Sequence, residues 1–189
     1  MNIDKLKAAN AARWHAMHTD SALGRTLDHF AEKLTDELAR GRYQTVSERT
    51  HVPWWVIAVI HLREASQSWA ANLAQGDPWD KVSIHVPAHR GPFHSWEDAA
   101  IDALVNCAPH ASKWADWSIG GTLTLLEMYN GLGYAMHGMA SPYVWAGTDQ
   151  YHRGKYVADG HFDAHAVDHQ LGCAALLARM RLMDKSIDL

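Results

Sequence analysis

The stretch Val52-Pro53-Trp54-Trp55-Val56-Ile57-Ala58-Val59-Ile60-His61-Leu62-Arg63-Glu64-Ala65 decides how this sequence is read. Proline suits the first turn of a helix, because its ring presets φ and the N–H it lacks is one that a helix start leaves unpaired. The spacing therefore predicts a helix over residues 53–65. Its apolar run, residues 52–60, is the longest in the chain and far too short to cross a bilayer, so no stable membrane association is expected. Glu64 comes one turn after Ile60 and two after Ile57, which puts its carboxyl on or beside the apolar face. Partial burial disfavours the carboxylate there, and the negative end of the helix dipole acts in the same direction. Both effects favour a carboxyl that keeps its proton, as a general acid must. The competing reading is an ion pair with Arg63 or another basic neighbour on a solvated helix end.

On either side of this helix the pattern is mainly α. Residues 3–18 have helix-forming composition, and residues 23–40 carry Leu27, Phe30, Ala31, Leu34 and Leu38 at three-and-four spacing. Gly41 is expected to stop that second helix, with a polar link over residues 42–50. The texture changes over residues 76–93, where Gly-Asp-Pro precedes the alternating Val82, Ile84 and Val86 and then Pro87, Gly91 and Pro92, predicting a short β-hairpin or an irregular lobe. Ser95, with Glu97 and Asp98 behind it, opens a capped helix that ends near residues 107–109. A further helix is expected over residues 118–129, closed by Asn130-Gly131-Leu132-Gly133. A loop over residues 138–160 and a last helix over residues 164–183 complete the expectation. No repeat, low-complexity tract or linker interrupts it, and 189 residues at 48% hydrophobic suit one domain with one core.

Composition excludes some functions. Seventeen basic against twenty-one acidic residues, a formal charge of -4, argue against a surface built for phosphate backbones, so no nucleic-acid partner is expected. Cys107 and Cys173 are too few for a disulfide framework, and each sits in an apolar, helix-like context where a buried free thiol is the default. Residues 1–17 lack the continuous apolar stretch of a secretory signal. Nine tryptophans in so short a chain point to core filling or to surfaces that grip ring-shaped ligands.

Two further groups bear on chemistry. Asp77 lies in Gly76-Asp77-Pro78, thirteen positions after Glu64, with Asp80 behind it. A carboxylate in such a turn commonly ties the backbone with its side chain; its other possible role is as the second carboxylate of a glycoside hydrolase, which pairs a protonated acid with a group that activates water. His161, His165 and His169 recur every four residues, a spacing that lets two histidines on a helix share a metal. There is no His-Glu-x-x-His and no nearby cysteine pair, so neither metal nor cofactor is expected. Trp69 and Trp79 flank the Glu64 to Asp77 stretch, and Tyr134 and Tyr143 follow the Asn-Gly turn; each is a candidate for sugar stacking or for simple packing.

Val52-Pro53-Trp54-Trp55, then Ile60-His61-Leu62-Arg63-Glu64-Ala65-Ser66-Gln67 and Leu73-Ala74-Gln75-Gly76-Asp77-Pro78, resemble a family of bacterial and phage lysozyme-like peptidoglycan hydrolases. The resemblance continues through His85-Val86-Pro87, Gly91-Pro92-Phe93, Leu126-Glu127-Met128-Tyr129-Asn130-Gly131-Leu132-Gly133-Tyr134, Ser141-Pro142-Tyr143 and Gly154-Lys155-Tyr156-Val157. More distantly, Glu64-Ala65-Ser66 is similar to the Glu-Ser element ending the catalytic helix of goose-type lysozymes and soluble lytic transglycosylases. Tyr129-Asn130-Gly131 is similar to their Tyr-Asn-Ala-Gly element. The resemblance implies a lysozyme-like fold, Glu64 as the acid, Asp77 as the water-activating base with Asp80 in reserve, and Tyr129 and Asn130 lining the site near the scissile bond; Gln67, Trp69, Trp79 and Tyr134 complete the expected substrate-binding residues. Alanine stands after Glu64 where transglycosylases commonly have serine, and their Gly-Leu-Met-Gln element is absent.

What this implies is a monomeric muramidase that acts on peptidoglycan glycan strands. It would be cytoplasmic when made and reach the wall from the periplasmic side, as a phage or prophage lysis enzyme does. Inversion would require the two carboxyls to stand about 6.5 to 9.5 Å apart. The rivals are a lytic transglycosylase, a non-catalytic glycan-binding protein and, further off, a zinc-dependent amidase.

Overall fold

The computed structural model describes residues 2–158 and 160–189. In chain order its helices are α1 (Ile3–Ala16), α2 (Gly24–Thr35), α3 (Glu37–Thr50), α4 (Trp54–Ala65), α5 (Trp96–Asn106), α6 (Ile119–Asn130), and the single turns α7 (Gly133–Met136) and α8 (Pro142–Trp145). A two-stranded antiparallel sheet, β1 (Lys155–Ala158) and β2 (His161–Asp163), precedes α9 (Cys173–Met183). Mainly helical is therefore the right class. Among the described residues no helix is long and apolar enough to cross a membrane.

The chain forms two compact units, Met1–Ala31 with Trp117–Leu189, and Glu32–Asp116. In the first, α1 lies along α6, and α8 and α9 pack on one another and on α6. The α1–α6 approach is close because Gly120 has no side chain: a Cβ there would stand 2.5 Å from the carbonyl oxygen of Lys7. In the second unit α3 packs on both α4 and α5. α4 is its buried element, with Trp54 and every residue from Val56 to His61 inside. Pro53 takes the N-cap position, and left-handed Ser66 ends the helix, its N–H returning to the carbonyls of His61 and Leu62.

Several expectations from local sequence fail. The helix expected over residues 23–40 breaks at Asp36, whose carboxylate accepts the N–H groups of Leu38 and Ala39 and so starts a new helix. Gly41 sits inside α3, with open space around it, and does not terminate it. The expected polar link is the rest of α3, whose buried face carries Tyr43, Val46 and Thr50, while Leu38 is exposed. No strand forms over residues 76–93. Val82, Ile84 and Val86 point outward, and this irregular lobe is held by side chains. The sheet lies instead at 155–163, where a loop was expected. The last helix begins at Cys173 and not at Ala164, because Asp163 and Asp168 turn the chain by accepting N–H groups just ahead of themselves. Gly172 then threads the backbone past Val144 and Ala146, where a Cβ would stand 2.6 Å from backbone atoms.

Candidate active site

Glu64 occupies the last turn of α4 and is half-buried, as its place beside the apolar face requires. The chain then makes two left-handed residues, Ser66 and Gln67, and runs through a clipped loop back to the end of the helix. An isolated bridge, Ala71 to Pro78, closes that loop, supported by the Asn72 N–H to the Asp77 carbonyl at 2.9 Å. At its tip Gly76 adopts φ +73°, and a Cβ there would sit 3.4 Å from the carbonyl oxygen of Glu64. The segments bearing Glu64 and Asp77 are thus brought together in one unit by a turn that favours glycine.

Asp77 is buried, and its carboxylate is already engaged. Oδ2 accepts the N–H groups of Ile84 at 2.9 Å and His85 at 3.0 Å, and Oδ1 meets His85 Nδ1 at 2.6 Å. The His85 N–H, then its ring, then the Ile84 N–H hold the carboxyl below its usual range. These bonds pin the lobe that fails to form a hairpin. Ser83 assists from within, accepting the Arg90 N–H at 2.9 Å and donating to the Pro87 carbonyl at 3.1 Å, while Arg90 pairs with Asp102 of α5. Asp80 is exposed.

The helix that bears Glu64 also carries one end of a buried polar chain of which the sequence singles out only Gln67. His61, one turn earlier, donates through Nε2 to the Ser68 carbonyl at 3.0 Å, so its Nδ1 accepts the Tyr43 hydroxyl at 3.0 Å. Gln67 Nε2 donates to the Lys33 carbonyl at 3.0 Å and to the Tyr43 hydroxyl at 3.4 Å. Burial lowers the His61 pKa to about 4, keeping the ring neutral, and pushes the Tyr43 hydroxyl up. His61 was legible as a histidine on the apolar run. Tyr43 was hidden because its helix was read as a link.

Aromatic rings surround this chain. Trp69 meets Tyr43, His61 and Trp96 at centroid distances of 5.3, 4.6 and 4.6 Å, and the Arg42 guanidinium lies 4.0 Å from its ring centre. Trp79 donates through Nε1 to the Trp69 carbonyl at 2.8 Å. Both tryptophans are half-buried and engaged in packing contacts. Gln67 and Trp69 also line a groove of about 730 Å³ with Lys33, Leu38 and Arg42, which Glu64 itself does not line.

The remaining expected residues belong to the first unit. Tyr129 and Asn130 end α6, half-buried and exposed respectively. Tyr134 is buried against Tyr156 and Phe162, and its hydroxyl accepts the Tyr156 N–H at 2.9 Å. Tyr143 is buried too. Glu127, one turn before Asn130, is wholly inside. Its Oε2 accepts Asn10 Nδ2 at 3.1 Å, Oε1 has no hydrogen-bond partner, and burial raises its pKa. His161, His165 and His169 fall on a strand, a turn and a loop rather than on one helix face, and among the described residues no group of three or more His, Cys, Asp or Glu could hold a metal ion. Both cysteines are free and buried.

No family model matches the chain, and neither a curated protein nor a solved structure matches it.

Proposed function

We propose that this chain is a lysozyme-like muramidase that cleaves the β-1,4 bond between N-acetylmuramic acid and N-acetylglucosamine in peptidoglycan, with Glu64 as the proton donor. The observation that carries the reading is the placement of a half-buried glutamate on the last turn of a buried apolar helix, with a glycine turn bearing a second carboxylate folded back against it. A carboxyl so placed can donate a proton to the leaving oxygen as the bond breaks. In the inverting scheme Asp77 activates the water, and residues 76–93 form the opposite wall of the cleft.

One observation favours a second reading. Three hydrogen bonds already occupy the Asp77 carboxylate, and its depressed pKa makes it a weak base. A lytic transglycosylase needs no water-activating carboxylate, so Glu64 would act alone and release anhydro-muramic ends.

Mass spectrometry of the muropeptides released from Gram-negative peptidoglycan by wild type, Glu64→Gln and Asp77→Asn separates the cases. Reducing muramic ends lost in both variants support the two-carboxylate muramidase. Anhydro ends that persist in Asp77→Asn select the transglycosylase, and no release by wild type refutes both.

A further inference from the structure

The unit formed by Met1–Ala31 and Trp117–Leu189 contains a cavity of about 570 Å³ to which none of the residues discussed for catalysis contributes. Its size lies within the roughly 300–1,000 Å³ of small-ligand sites. Three chain segments build it, 18–23, 147–152 and 167–171. They are tied to one another: Thr19 bridges to Thr148, the Asp20 N–H reaches the Gly147 carbonyl at 3.0 Å, and the Asp149 N–H reaches the His18 carbonyl at 3.0 Å. The Asp168 N–H reaches the Tyr151 hydroxyl at 3.0 Å. The walls are thus fixed before any ligand arrives.

The lining decides what would enter. It contains no lysine or arginine, so no permanent positive charge in the lining favours a phosphate or a carboxylate ligand. Its carboxylates are each satisfied from within the protein. Asp149 takes the His18 N–H at 2.9 Å and His18 Nδ1 at 3.1 Å, Asp168 takes the Lys155 ammonium at 3.3 Å, and Asp20 takes the Ala22 N–H at 2.8 Å. Held in this way, the carboxylates of Asp20 and Asp149 stay oriented as acceptors for hydroxyl groups. The His18 ring is held by the Asp149 carboxylate through Nδ1, and Gln170 and Ser21 supply both donor and acceptor. Leu23, Val167 and Leu171 add apolar side chains to the lining, and the C–H face of a ring can pack on such groups. A lining that mixes fixed planar polar groups with apolar side chains suits a polyhydroxylated ring.

We propose that this cavity is a binding site for a neutral saccharide, independent of the reading of Glu64. For a protein acting on glycan it would hold the strand without taking part in bond cleavage.

Titration of the full chain with N,N′-diacetylchitobiose, followed by amide chemical shifts, tests this, with glucosamine and glucuronate as cationic and anionic comparators. Saturable shifts are expected in segments 18–23, 147–152 and 167–171, at millimolar affinity. Val167→Trp fills the cavity from an exposed position and should weaken binding at least about tenfold, or about 1.4 kcal/mol. Gln170→Ala, which removes no internal side-chain bond, should weaken it a few-fold, and serves if Val167→Trp fails to fold. Shifts confined to other segments, no saturable shift, equal or tighter binding of either charged sugar, or undiminished affinity in the folded variants would overturn the proposal.

Discussion

Replacing Gly120 by alanine should destabilise the chain through a single contact. Gly120 lies in the first turn of α6, where that helix crosses α1. An added Cβ would meet the Lys7 carbonyl oxygen at 2.5 Å and the Ala11 Cβ at 3.2 Å. The first of these is backbone and cannot swing aside, so α1 must retreat by nearly an ångström, loosening the layer that includes buried Leu6 and Leu123. Overpacking of this kind costs about 1–3 kcal/mol. For a chain of this length each kcal/mol moves the melting temperature by roughly 2–4 °C, so a fall of roughly 2–12 °C is expected in calorimetry. Gly41→Ala is the control. That glycine lies within α3 with nothing near its missing Cβ, and alanine there should stabilise by about 0.5–1 kcal/mol. A Gly120→Ala protein that melts no lower than wild type would refute the argument from close helix approach.

Other expectations concern protons. His61 has a folded pKa of about 4 against an ordinary 6.5, so the unfolded chain binds the extra proton between those values. Stability is fully present above pH 6.5 and should fall by about 3 kcal/mol as pH drops to 4, with His61→Gln flattening that dependence in urea titrations. Glu127 shifts the other way. Its raised pKa favours the protonated form, so its contribution is present below its ordinary value of 4.5 and lost as pH rises. Glu127→Gln should therefore stabilise by about 1 kcal/mol at neutral pH, with the gain vanishing in acid. A buried Asn10 Oδ1 without a partner offers the new amide an acceptor. Asp77 is held below its ordinary 3.8, so its contribution is present above that value and lost as pH falls through the folded pKa. Protonation, or Asp77→Ala, should speed amide exchange at Ile84 and His85, and unchanged exchange would refute its role as the pin of the lobe.

Segments whose structure depends on neighbours a turn away were legible. Ser95 and Ser118 cap the helices they precede, each accepting an N–H three residues on. The apolar run after Pro53 forms the buried helix that its composition demands, with Glu64 half-buried at its end. Other local patterns misled. Leu38 continues the apolar spacing of α2 but stands exposed, because Asp36 offers its own side chain to the backbone and starts a separate helix. Val82, Ile84 and Val86 alternate like a strand, yet no partner strand pairs with them and the Asp77 carboxylate takes two of the N–H groups a ladder would use.

The sequence by itself determined the mainly helical class, the central helix and the position of Glu64 on it, since side-chain periodicity and capping act within a few residues. Only the tertiary structure decided that Asp77 accepts two backbone amides and meets the His85 ring, that Trp69 lies under Arg42, and that His61, Tyr43 and Gln67 form one hydrogen-bonded chain. Those outcomes depend on which groups distant in sequence arrive at the same place. A buried polar atom must then find its partner among whatever has arrived, a condition that local periodicity does not contain.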